Sequence, residues 1–264
     1  MKIGISTSSF FLRRHTEDAL SFLSENNVET AEVFLETYSE YNKEFGKLLS
    51  ARSKNLPVHS IHVLTTQFEP QLYSVNDRAQ ADSFKILRNV ARAGKELSAK
   101  YYTFHGPARL KRTPLKINFD RVGRITQEII DLLGEYSISL AYENVHWCYY
   151  NYVGYFNELK KRTHGLKATL DIKQARQSGV DYRDLIKEMS SDIVTVHVSD
   201  VNKDGKMCLP GKGVTDFSEL FARLSDVGFD GAVLLEVYKD DFGDESELFD
   251  CVEYLKSVAS KYYK

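Results

Sequence analysis

Long apolar runs are missing from this chain of 264 residues. None approaches the ~20 consecutive apolar residues that a membrane-spanning helix needs. The first residues, Lys2-Ile-Gly-Ile-Ser6, are patterned like a strand rather than a signal peptide. Cysteine is scarce: Cys148, Cys208 and Cys251 are odd in number and far apart, which argues against a disulfide framework and a cysteine-type zinc site. Charge of one sign is lacking too, with a formal net charge of -2 and a pI of about 6.4. No basic field is therefore available to attract nucleic acid, and the short Lys160-Lys161-Arg162 cluster reads as a solvated helix face. No Gly-x-Gly-x-x-Gly follows the first strand, so Gly4-Ile-Ser-Thr-Ser8 makes a poor phosphate-binding turn. No Pro/Gly/Ser-rich linker divides the chain. These absences lead to the expectation of a soluble protein of a reducing compartment, most simply the cytoplasm.

What is present is an alternation of strand and helix from end to end. Apolar runs bounded by turn signals predict strands at 2–6, 28–35, 58–63, 101–105, 137–144, 166–171, 192–200 and 231–238. Between and after them, helices are expected at about 16–26, 39–54, 76–97, 118–136, a short one ending near His164-Gly165, then 182–189, 216–227 and 245–262. Thr16 or a near neighbour is the expected N-cap of the first helix, and longer loops are expected at 65–73 and around Pro114. Eight βα units at this length match a closed (β/α)8 TIM barrel occupying residues 1–264 as a single domain. A doubly wound open sheet is the alternative architecture.

Four of the strands each carry an ionisable residue late in an otherwise apolar run: Glu143, Asp171, His197 and Glu236. A carboxylate inside a doubly buried strand is costly unless paired, hydrogen-bonded or metal-bound. Neighbouring strands lie about 4.8 Å apart, so side chains at a common height on strands five to eight converge at the mouth of a barrel. Three buried like charges repel, and a divalent cation removes that penalty. Oxygen-rich ligands with one imidazole favour Mn2+, Mg2+ or Co2+, with Zn2+ also accommodated. The bland alternative, in which each of the four is satisfied by its own Lys, Arg or backbone amide, needs four separate coincidences on consecutive strands.

Other residues at the same end carry weaker signals. His62 and His105 fall at the mouth of strands three and four and are candidates for the substrate side of the pocket. His59, three residues before His62, is expected to face the opposite way and to be structural. Glu32 on strand two is a candidate for bonding a substrate hydroxyl or for pairing with a surface Lys, and Trp147 with Tyr149, Tyr150 and Tyr152 for a sugar-stacking wall or for core. Lys203, Lys206 and Lys212 occupy the loop after strand seven, where a substrate phosphate could be gripped, and Asp200 is expected to cap a turn.

The motifs Tyr142-Glu143-Asn144, Leu170-Asp171 with Gln174, Val196-His197-Val-Ser-Asp200, Leu209-Pro-Gly-Lys-Gly213 and Leu234-Leu-Glu236 occur in an order and spacing that resembles the xylose isomerase-like TIM barrels. That superfamily holds sugar (phosphate) isomerases and epimerases and also endonuclease IV. The resemblance covers nearly the whole chain. It implies that Glu143, Asp171, His197 and Glu236 bind one divalent metal and that Glu143 and Glu236 form an acid/base pair. Gln174 stands where many members carry a metal- or substrate-binding His, and Lys203 near a substrate-binding Arg of the ketose epimerases, so both are expected at the substrate.

The leading expectation is a metal-dependent aldose–ketose isomerase or ketose 3-epimerase working through a cis-enediolate. Its partner would be a small sugar or sugar phosphate, with no nucleic acid and no membrane; barrels of this kind often self-associate, so a homo-oligomer is among the expected assemblies. Three alternatives use the same barrel: a dehydratase or lyase of a keto-inositol-type polyol, a nuclease of the endonuclease IV type, and a barrel that binds sugar without turning it over. The nuclease would need a further His where this chain has Gln174, and an Asp and a His where its loop has Gly205 and Met207.

Overall fold

Eight parallel strands close on themselves in the computed structural model, which describes residues 1–64, 67–109 and 116–263. In chain order the strands are β1 (Lys2–Ser6), β2 (Ala31–Leu35), β3 (Val58–Val63), β4 (Tyr101–Phe104), β5 (Ser139–Glu143), β6 (Lys167–Asp171), β7 (Ile193–Val198), a short antiparallel pair β8 (Asp200–Val201) and β9 (Met207–Cys208), and β10 (Ala232–Leu235). The barrel order is β1-β10-β7-β6-β5-β4-β3-β2, and β8 and β9 form a separate two-stranded ribbon. The eighth barrel strand is thus β10. Helices α1 (Thr16–Glu25), α2 (Lys43–Ser53), α3 (Glu69–Leu72), α4 (Asp77–Glu96), α5 (Phe119–Gly134), α6 (Tyr155–Lys160), α7 (Ile172–Gln177), α8 (Tyr182–Met189), α9 (Phe217–Asp226) and α10 (Ser246–Ala259) stand between and after the strands. This is a TIM barrel, as the strand–helix alternation predicts. Among the described residues no helix is long and apolar enough to cross a membrane.

The chemistry of the chain explains where these elements start. Asn42, Asn76, Asn118, Asp181 and Asp216 each place a side-chain oxygen on a backbone N–H of the following helix, satisfying donors that have no partner inside the helix. Helix α2 accordingly begins at Lys43, not Ser39. At α1 the cap position is His15, which makes no side-chain cap, and the Thr16 hydroxyl instead donates to the Phe34 carbonyl at 3.2 Å. Strand β2 starts at Ala31 rather than Val28, because the Val28 N–H still closes the preceding helix on the Leu23 carbonyl. Helix α7 and the β8–β9 ribbon are additions to the sequence reading. Thr65, Thr66 and Pro114, expected in loops, lie outside the described residues, and the rest of the first loop contains α3.

Register decides which side chains point inward. Asp171 lies directly opposite His197, whereas Glu143 pairs with Thr169 and Leu234 pairs with His197. The expected common height therefore holds directly only for Asp171 and His197. Glu143 and Glu236 are each offset by two residues. A shift of two preserves the facing of every side chain, while a shift of one would reverse it. All four groups consequently remain on the inner face.

A bulge corrects one expectation. Between β2 and β3 the register skips His59, with Ala31 opposite Val58 and Glu32 opposite Ser60. The extra residue turns the His59 ring into the barrel, where Nε2 lies 2.9 Å from the Thr195 hydroxyl of β7, a strand on the far side. Burial pushes this imidazole down from 6.5 to about 4. Between those values the unfolded chain binds a proton that the folded chain refuses, so the stability is whole above about 6.5 and is lost as pH falls toward 4. His59→Gln should remove this contribution. In urea melts between pH 7 and 4 the native protein is expected to lose up to about 3 kcal/mol more than the variant; equal losses would refute the assignment.

Candidate metal centre

The C-terminal ends of β5, β6, β7 and β10 bring Glu143, Asp171, His197 and Glu236 to one point. One ligand atom from each lies within 4.8 Å of all the others. Glu143, Asp171 and His197 are buried, and Glu236 alone keeps a partly exposed side chain. Opposed ligands at bond lengths of about 2.0–2.4 Å stand about 4–4.8 Å apart, so the spacing fits a single ion. Three carboxylates and an imidazole suit Mn2+, Mg2+, Co2+ or Zn2+.

Local hydrogen bonds fix the donors. The Asn144 side chain bridges two strand ends, donating to the Asp171 carbonyl at 2.8 Å and accepting from the Asp171 N–H at 2.9 Å. Asp171 caps α7 by accepting the Gln174 N–H on Oδ1 at 2.9 Å, which leaves Oδ2 for the centre. The Ser8 hydroxyl donates to Glu236 at 3.3 Å. His197 turns Nδ1 toward the carboxylates, 3.0 Å from Glu143 and 2.9 Å from Glu236, and Nε2 away from them, 3.1 Å from Glu32.

Glu32 therefore has a different place from the one expected. It is wholly buried beneath His197, where its oxygens accept from the hydroxyls of Ser6 (3.0 Å), Ser60 (2.8 Å) and Thr103 (2.7 Å). No oxygen faces the cavity above. Its carboxylate supports the imidazole from behind, the arrangement that sets which ring nitrogen is free to bind.

The electrostatics follow from burial competing with neighbouring charge. Burial lifts Asp171 to about 7 against the pull of Lys173. Burial also opposes ionisation of Glu32, but His197 wins and holds it at about 2. The same contest leaves Glu143 low through His105 and His197, and Glu236 low through His197 and Lys173. His197 is desolvated yet held well above its usual value by Glu236, Glu32 and Glu143.

A cavity of about 220 Å³ opens above the four groups. His62, His105, Trp147 and Gln174 line it, as do Phe11, Phe34, Lys173 and Tyr238, for which the sequence reading assigned no site role. His105 Nε2 sits 2.7 Å from Glu143, and the His62 and His105 rings meet edge to face at 4.6 Å. Together with Glu143 these two histidines form a second group able to hold an ion. The Trp147 ring stands on edge to His105, while Tyr150 stacks on Tyr155 in the core. Gln174 is oriented by His146, whose Nδ1–H donates to its carbonyl oxygen at 2.6 Å.

Lys203 is not in this wall. It lies in the exposed turn between β8 and β9, because Asp200 accepts the N–H groups of Val201, Gly211, Gly213 and Thr215 and binds the loop into its own compact unit. A Cβ on Gly213 would meet the Val201 carbonyl at 2.3 Å, so the loop needs glycine there. Lys206 is likewise exposed, and Lys212 pairs with Glu247. The lysine in the cavity wall is Lys173.

Residues 20–258 match the family model described as the xylose isomerase-like TIM barrel, and the chain belongs to that family. It is 23% identical over 251 residues to the uncharacterized protein MJ1311 of Methanocaldococcus jannaschii, covering 89% of this chain and 83% of the relative. Among solved structures it superposes on D-psicose 3-epimerase with D-tagatose from Clostridium cellulolyticum H10 with a TM-score of 0.79 at 13% identity, and on the IOLI protein with a binding zinc atom with a TM-score of 0.79 at 16% identity. Each pair is covered over 100% of both chains. At these identities the likeness establishes the shared barrel.

Glu32→Ala would leave His197 and three hydroxyls without their buried acceptor. Removing one partner of a buried ion pair costs about 3–5 kcal/mol, and a urea unfolding curve should show a loss of that size. Glu32→Gln, which keeps the shape and one acceptor oxygen, should lose less. A change below about 1 kcal/mol for Glu32→Ala, the range of an ordinary exposed pair, would contradict the account.

Proposed function

We propose that this protein is a divalent-metal-dependent isomerase or epimerase of a small sugar or sugar phosphate, with Glu143 and Glu236 as the acid/base pair. The observation that carries the reading is the meeting of these two carboxylates, from strands separated by β6 and β7, at one buried cluster beneath a small cavity. Its likeness in fold to a D-psicose 3-epimerase and to a zinc-binding barrel supports the reading.

Glu143, Asp171, Glu236 and Nδ1 of His197 would hold the ion. When bound, the ion supplies positive charge that polarises a sugar carbonyl and its neighbouring hydroxyl. One glutamate removes the proton from the carbon beside the carbonyl. The other returns a proton, to the opposite face in epimerisation or to the adjacent carbon in isomerisation. Ser8 and His105 hold the two carboxylates in place, and Glu32 keeps His197 turned the right way. Phe11, Phe34, Trp147 and Tyr238 give apolar walls for the C–H faces of a sugar and restrict water.

One observation favours a second reading. His62, His105 and Glu143 make a second candidate ion site that shares Glu143 with the first, as a two-metal hydrolase would use. The near-neutral chain offers little of the charge that duplex binding draws on.

A panel of ketoses, aldoses and their phosphates with Mn2+ in D2O, followed by proton NMR, tests the leading reading. Exchange into one C–H position is expected, and Glu236→Gln should slow it by about 10²–10⁴-fold. Undiminished exchange in that variant would take Glu236 out of the acid/base role. Zn2+-dependent nicking of an abasic-site oligonucleotide, lost in His105→Ala, would replace the leading reading with the second.

A further inference from the structure

A lysine stands in the wall of the acidic cavity. Lys173 follows Asp171 by two residues in the first turn of α7, and its side chain is only 3% exposed. Its Nζ lies 3.8 Å from Asp171 Oδ2, the nearest carboxylate among the described residues, and 4.4 Å from the centroid of the Tyr238 ring. A separation of 3.8 Å lies beyond hydrogen-bond range. The carboxylates around the ammonium offset its charge without taking up its N–H groups. The Tyr238 ring fixes its position by a cation–π contact, and the Tyr238 phenol is near enough to share one N–H, which leaves further N–H groups for a partner in the cavity that Lys173 lines.

No other lysine or arginine lines this cavity among the described residues. Its remaining polar groups are carboxylates, imidazoles, the Ser8 hydroxyl, the Gln174 amide, the Tyr238 phenol and the uncharged Trp147 indole N–H. Those groups can serve the hydroxyls of a neutral sugar. An oxygen that carries or acquires negative charge is better met by a fixed, charged donor in a water-poor site.

We propose that Lys173 is a specificity-determining group that donates to a negatively charged substrate oxygen beside the carbons undergoing proton transfer. The pocket then prefers planar, anionic hydroxy-oxygen units, such as an enediolate or a 2-hydroxycarboxylate, over neutral units of the same shape. This inference rests on the function proposed above and adds the charge of the species that the pocket selects.

Glycolate and glycolamide have the same shape and differ in charge, and their binding to the Mn2+-loaded protein can be measured by calorimetry. Lys173→Met should retain Mn2+ uptake, weaken glycolate at least tenfold and change glycolamide by less than about twofold. Lys173→Arg should recover part of the glycolate affinity and guards against a folding defect in the first variant. Glycolate affinity unchanged in Lys173→Met, equal losses for both probes, or a wild-type protein that takes up Mn2+ but ignores glycolate would overturn the role of Lys173 and leave the proposed function standing. A wild-type protein that takes up no Mn2+ would remove both.

Discussion

Like charge confined to a small buried volume is the constraint on which this structure turns. Glu32, Glu143, Asp171 and Glu236 crowd one end of the barrel, three of them almost without exposure. Desolvation pushes each toward its neutral form, and their mutual repulsion adds to that push. The chain answers with His197 between three of them, His105 against Glu143, Lys173 against Asp171, and hydroxyls from β1, β3 and β4 around Glu32. Apart from the part-buried His105 these partners are themselves buried, so the arrangement is rigid and expensive to vary. Buried ionisable clusters of this kind gather at functional sites.

The barrel supplies the means. Even-numbered register steps keep the four side chains inward although they sit at different positions along their strands. Beneath them Glu32 forms a second layer that orients His197 without meeting the cavity. Above them aromatic side chains and Lys173 shape a space of about 220 Å³. Position in the barrel thus separates the carboxylate beneath the cluster from those that meet the cavity, which the residue types alone do not distinguish.

The barrel and its four convergent side chains were legible in the sequence because the signal is regular. Apolar runs of strand length with one late ionisable residue have few structural explanations. Glu32 carried the same signal, but alternation fixes a residue's face and not its depth, so its hydroxyl partners on three other strands were invisible. Lys173 was missed because a lysine in a helical first turn is ordinarily solvated; only the immediate turn of the chain after Asp171 into α7 brings it inward. His59 was misplaced by a bulge that local sequence does not announce. Lys203 was drawn to the site by its position after strand seven, and the Asp200 hydrogen bonds that hold its loop apart join residues up to 15 positions away.

On the proposed function, the ends of β5, β6, β7 and β10 share a single cation. Electron paramagnetic resonance of Mn2+ added to metal-free protein tests it directly, because the free aqueous ion gives a sharp signal that is lost on binding. One ion per chain should disappear from the signal in the native protein, and Asp171→Asn should return it to solution. An undiminished free-ion signal, or uptake that Asp171→Asn leaves untouched, would contradict the account.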